Sequence, residues 1–162
     1  MFSAVASGRA AGALVNTITA EQGAESGQTR ILLRVAQELP NFGYTFTVTR
    51  DDEIADPHLA PQIETVVRGI IQGSRYAMQN PDEATNILRE RMPDVDPKLL
   101  RKVVGQLDES KVWGVNGGIE PEVVANIVTT YRQAGLLKSE IPLDKAFDYR
   151  FVDAALKKLG NF

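Results

Sequence analysis

His58 is the only histidine in the chain, and cysteine is absent altogether. Nucleophilic catalysis of the common kinds needs a hydroxyl or thiol beside an imidazole that a third group orients. One histidine in Asp56-Pro57-His58, at the solvated start of a helical pattern, cannot assemble that pairing. The carboxylate pairs Asp51-Asp52 and Asp108-Glu109 fall in loop-like and helix-end settings, where they read as solvated charge. No run has the Asp-x-Asp-x-Asp-Gly spacing of a calcium loop, and without cysteine there are no disulfides or Cys-based zinc sites. These patterns predict no enzyme, no cofactor and no metal centre.

Non-covalent ligand contact has better-placed candidates. Ala11–Val15 reads as a buried strand, followed at once by Asn16-Thr17 and a polar helix over Ile18–Glu25. In open α/β sheets solutes bind beyond the carboxyl ends of strands, and the first N–H groups of a helix can face an anion. Asn16 and Thr17 are therefore candidate ligand contacts, with ordinary turn residues as the plain alternative. Trp113 precedes Gly114 and the Asn116-Gly117-Gly118 turn, so it can cap a cleft or act as a packing anchor. The glycines themselves serve the turn, because the strand and the Lys-Ser/Thr pair of a phosphate loop are missing.

The elements that must position these residues differ between the two parts of the chain. A short helix over Phe2–Ser7 stops at Gly8. Arg30–Val35 is apolar enough for a strand covered on both faces, and Ser26-Gly27 separates it from the helix before. Pro40–Gly43 is turn chemistry, and Tyr44–Thr49 alternates like a strand. From Asp56 onward the pattern is helical. Asp56-Pro57, Asn80-Pro81, Asp96-Pro97 and Glu120-Pro121 each put proline at the first helical position, where its missing N–H has no intrahelical acceptor to lose. Ile63, Val66, Val67, Ile70, Ile71 and Met78 line one face of the first of these helices. Leu99, Leu100, Val103, Val104 and Leu107 line the third, and Val124, Ile127, Val128 and Tyr131 the fourth. Gly135 suits a left-handed C-cap, and a last helix over Phe151–Leu159 closes at Gly160. Three short strands are few for so many helices to cover.

The chain has 162 residues, 43% of them hydrophobic and 24% charged, within the range of one globular domain. Eighteen Lys plus Arg against 21 Asp plus Glu give a net charge of -3 with neither sign concentrated. No basic stripe marks nucleic acid as a partner. Met1–Ala20 lacks the basic and apolar regions of a secretory signal, and no segment approaches the roughly 18 apolar residues of a spanning helix. The expectation is a soluble chain without its own export signal.

The order of segments resembles the C-terminal portion of the solute-binding proteins of nitrate, sulfonate and taurine ABC importers. That superfamily also holds the enzymes that make the pyrimidine precursor of thiamine. The resemblance is carried by Phe2–Ala10, Asn80–Ala84, Trp113–Pro121 and Ala134–Leu143 leading to Phe147-Asp148 and Arg150–Val152, and it spans most of the chain. It implies an α/β fold: a helix-rich, partial type II periplasmic-binding-protein fold with few strands. Residues 1–40 would be the end of the second lobe, 41–50 a crossover and hinge strand, and 51–162 the helical part of the first lobe. Tyr44 and Thr45 become hinge or cleft-edge contacts, the plain alternative being an ordinary strand with Tyr44 half buried. The implied function is capture of a small anionic or heteroaromatic solute and its delivery to an ABC permease, in the periplasm or at the cell surface. An enzyme like those of thiamine-precursor synthesis is one rival, but such enzymes depend on histidine and cysteine residues that a chain with one histidine and no cysteine cannot supply. A helical interaction module, with a homodimer formed through surface left by missing lobes, is the rival from a different class.

Overall fold

Three of the Pro-marked starts open helices at the expected residue. Pro81, Pro97 and Pro121 each occupy the first helical position, and the Asp96 side chain accepts the Lys98 N–H at 2.7 Å as an N-cap. Asp56-Pro57 behaves differently. The Asp56 side chain accepts the His58 and Leu59 N–H groups at 2.7 and 3.3 Å, making a turn, and the helix proper begins at Ala60. A second proline at position 61, also without an N–H, accounts for the displaced start.

The computed structural model describes residues 1–39, 41–140 and 142–162, and their side chains except those of Asp144 and Lys145. Among the described residues the chain forms α1 (Phe2–Ala6), α2 (Thr17–Glu25), α3 (Val35–Glu38), α4 (Asp51–Ala55), α5 (Ala60–Gln79), α6 (Pro81–Arg91), α7 (Pro97–Glu109), α8 (Pro121–Gln133), α9 (Leu143–Ala146) and α10 (Arg150–Leu159). Pro40, part of the expected turn, and Ile141, within one of the resembling segments, lie outside the described residues.

The α/β expectation is overturned: no strand occurs among the described residues, so the chain does not have a partial type II periplasmic-binding-protein fold. Ala11–Val15, Arg30–Val35 and Tyr44–Thr49 keep their strand-like composition without a ladder, and Val35 opens α3 instead. β-propensity records how well a side chain suits a pleated, half-buried surface, and without a paired neighbour it makes no strand. Leu14, Leu32, Leu33 and Val48 are accordingly left in solvent.

The chain divides into two compact units, each discontinuous in sequence. The first is Met1–Glu38 with Gln79–Val112, and the second is Leu39–Met78 with Trp113–Phe162. In the first, α7 packs on both α6 and α2. It buries Leu99, Leu100, Val103 and Val104, with Ala84 of α6 beside them. Full burial of such side chains contributes about 1.5–3 kcal/mol each. Gly23 of α2 has no side chain where the Phe2 ring and the Thr29 hydroxyl approach, which lets α1 lie against α2.

The second unit is built on Ile71 of α5, Val124 and Ile127 of α8 and Ala155 of α10. Gly117 takes φ +98° in the loop before α8, and a Cβ there would meet Val152 Cγ1 at 2.6 Å. Gly135 ends α8 at φ +69°, with the Leu136 N–H returning to the Tyr131 carbonyl at 2.9 Å in the expected left-handed cap. The apolar stripe of α5 is only partly covered: Ile71 is buried, whereas Val66 and Ile70 are exposed.

The accessible surface is 11321 Å². Two separate compact bodies of these two sizes would together expose about 9,600 Å². The excess therefore belongs to the units themselves, whatever their mutual placement.

Candidate functional site

Glu21 is the most buried charge described, 1% exposed on α2 in the first unit. Its carboxylate accepts from Arg34 Nη2 at 2.5 Å and Gln106 Nε2 at 2.9 Å on one oxygen, and pairs with Lys102 Nζ at 2.6 Å on the other. Gln106 Oε1 in turn accepts from Arg34 Nη1 at 3.3 Å. Burial alone would raise the Glu21 pKa, but the hydrogen bonds from Lys102, Arg34 and Gln106, reinforced by the Arg34 charge, lower it to about 2. A buried carboxylate with two cations and an amide on its oxygens is satisfied. It joins α2, α7 and the segment before α3, and it has no acid or base function to offer near neutral pH.

In the second unit Arg75 of α5 makes the densest set of contacts. Its guanidinium donates to the carbonyls of Val115 at 2.8 Å, Gly160 at 2.7 Å and Leu159 at 3.3 Å, and to Asn116 Oδ1 at 3.0 Å. The Phe162 ring lies 5.6 Å from the guanidinium carbon, and the Phe162 N–H donates to the same Asn116 oxygen at 3.0 Å. A fork of donors suits this gathering of acceptors better than an ammonium. The carbonyls at the end of α10, which have no partner within the helix, are thereby used. About three turns earlier on α5, Glu64 pairs with Lys158 of α10 and with Arg68 at 3.4 Å. The hydrogen bond from Lys158 lowers the Glu64 pKa, against the opposing effect of burial.

Asn16 is the N-cap of α2, its side chain accepting the Thr19 N–H at 2.9 Å, and Thr17 is the first helical residue. The capping role occupies the Asn16 acceptor. Tyr44 donates its hydroxyl to the Leu39 carbonyl at 3.1 Å and sets its ring edge-on to Phe42 at 5.4 Å. Burial raises its pKa. Thr45 is exposed. Trp113 is half-buried in the second unit, and its Nε1–H is buried without a hydrogen-bond partner. Asn16 and Thr17 belong to the first unit and Tyr44, Thr45 and Trp113 to the second. No hydrogen bond or ring contact joins Tyr44 to Trp113 among the described residues. Comparisons with protein-family models, with curated proteins and with solved structures return no match.

His58 and the Asp51-Asp52 pair are exposed. Among the described residues no three His, Cys, Asp or Glu side chains gather as metal ligands, and no helix is long and apolar enough to cross a membrane. A surface depression on the first unit is lined by Asp82, Thr85, Asn86, Pro97, Lys98 and Arg101. Three of its polar groups are already engaged, Arg101 with Asp82 and the Thr85 hydroxyl with the Pro81 carbonyl at 2.7 Å.

Sequence reasoning passed over both Glu21 and Arg75. Each carried a signal. Glu21 stands three residues from both Ile18 and Ala24, and Arg75 stands four from Ile71 and three from Met78. A charge set into an apolar helical stripe must be paired if that stripe is buried.

Proposed function

We infer that this chain is a solute-binding component of an ABC-type importer, or a part of one, that captures a small anionic or heteroaromatic molecule without covalent chemistry and hands it to a permease. The observation that carries this reading is the ordered series of segments Asn80–Ala84, Trp113–Pro121 and Ala134–Leu143, in which the resemblance to the nitrate, sulfonate and taurine binding proteins lies. Support comes from the helix boundaries within that series: Pro81 and Pro121 open α6 and α8, and Gly135 ends α8. Closure of two α/β lobes is no part of the proposal, since the sheet it needs is absent among the described residues. Isothermal titration of the purified chain with nitrate, taurine, an alkanesulfonate and an aminopyrimidine tests it. Saturable one-to-one binding of one of these classes is expected, and a folded helical chain that binds none of them removes the reading.

A second reading, a helical interaction module, is favoured by the surface in excess of what two compact units of this size expose. Exposed Leu14, Leu32, Leu33, Val48 and Leu136 place part of that excess on apolar side chains. Light scattering across a concentration series is expected to show association under this reading, and a strictly monomeric chain would remove it.

A further inference from the structure

Tyr44–Thr49 reads Tyr-Thr-Phe-Thr-Val-Thr, with three large apolar side chains alternating with three threonines and neither charge nor proline among the six. From Phe42 to Arg50 the backbone forms no helix, turn or bend, and no amide of Tyr44–Thr49 donates to another backbone group among the described residues. Phe46 is anchored on one side by Phe147, ring centres 5.6 Å apart, yet remains 39% exposed. Val48 is 87% exposed. A run of high β-propensity with free amides is a template for pairing with another chain.

We propose that Tyr44–Thr49 pairs antiparallel with the same segment of a second copy of this chain, about a two-fold axis through Phe46. The proposal rests on the interaction-module reading and names its partner. An antiparallel pair of identical segments is self-complementary under a two-fold axis, so one patch serves both chains. With Phe46 opposite Phe46, Tyr44 faces Val48 and Thr45 faces Thr47. Every apolar side chain then falls on one face of the ribbon and every threonine on the other. Such aromatic, β-branched and Thr–Thr pairs are favourable across antiparallel strands. A slip of one residue would set aromatics against threonines and lose both faces. A two-stranded ribbon needs further apolar cover to persist in water, and the same unit carries exposed Leu59, Val66, Ile70 and Leu136. The excess surface, about 1,700 Å² summed over the two units, compares with the about 800 Å² that each partner contributes to a standard interface.

The test uses the full chain in light scattering across a concentration series, beside Val48→Lys, whose exposed site leaves the monomer fold intact by circular dichroism. Because the chain has no cysteine, Thr45→Cys and Thr47→Cys variants can also be mixed and oxidised. The expected results are a species of two chains, dissociation at least about tenfold easier in Val48→Lys, and cross-linking of the mixture in preference to either variant alone. A dimer that ignores Val48→Lys and gives no preferred mixed cross-link overturns the strand pairing while leaving the interaction reading standing. A chain that stays monomeric throughout overturns both.

Discussion

Lys102 of α7 holds its ammonium 2.6 Å from the carboxylate of Glu21 on α2, so the contact between these two helices is fastened by a charge sealed from water on one side and half open on the other. Glu21→Gln removes the anion while keeping the side chain's size, leaving Arg34 without its carboxylate partner and Lys102 with only the exposed Glu25 at 3.5 Å. Both cations reach solvent in part, so water recovers some of the loss. We expect a cost of about 1–3 kcal/mol, read in urea denaturation as a lower midpoint with unchanged slope.

The same carboxylate makes the first unit acid-sensitive. Its folded pKa of about 2 lies below the ordinary 4.5. A depressed carboxylate contributes stability that is complete above the unfolded value and is lost as pH falls through the folded one. Melting temperatures should therefore drop between about pH 4.5 and about pH 2, and less steeply in Glu21→Gln. Equal slopes in the two proteins would assign the acid loss to other groups.

Arg75→Lys retains the charge but replaces the fork with a single point. It cannot reach the carbonyls of Val115, Leu159 and Gly160 together with Asn116. The expected loss is about 1–3 kcal/mol, accompanied by faster amide exchange at Phe162, whose N–H shares the Asn116 acceptor. Unchanged exchange there would separate the guanidinium from the ordering of the C-terminal residues.

Gly117→Ala meets two obstacles, a backbone at φ +98° and a Cβ directed at Val152. The backbone alone costs about 1–2 kcal/mol. Adding Val152→Ala should recover the steric share and leave the conformational one. A double-mutant cycle in thermal melts reads the difference, and strict additivity would mean the two side chains do not meet.

Asn16→Ala should cost about 1 kcal/mol through loss of the α2 cap, whereas Asn16→Asp should cost little. If both were equally damaging to solute binding but harmless to stability, Asn16 would be a ligand contact and not a cap.

Much of the helical part was legible because proline and glycine act locally. Pro81, Pro97, Pro121, Gly135 and Gly160 mark boundaries through their own φ and missing atoms, and the structure places those boundaries there. The burial of Leu99, Leu100, Val103 and Val104 likewise followed from the period of one helix. The strands failed for the opposite reason. Val48 and Leu32 have the shape for a sheet, but a ladder is a property of two segments, and the three runs found no partner in the structure. Of the candidate site, Asn16 and Tyr44 prove to spend polar groups on the chain itself. Glu21 and Arg75 were hidden because their roles depend on residues about 85 positions away, Gln106 and Gly160.

The Arg75 contacts also bear on how the protein is made. Synthesis runs from the N-terminus, and units tend to form as their residues emerge. The first unit has all its parts once Val112 has emerged, so Glu21 can meet Lys102 while translation continues. The second cannot: the acceptors of Arg75 include Leu159 and Gly160, some 85 residues further along. Its guanidinium must wait, solvated, until Gly160 has emerged, and a chain cut short before Leu159 would leave it without two of its carbonyl acceptors.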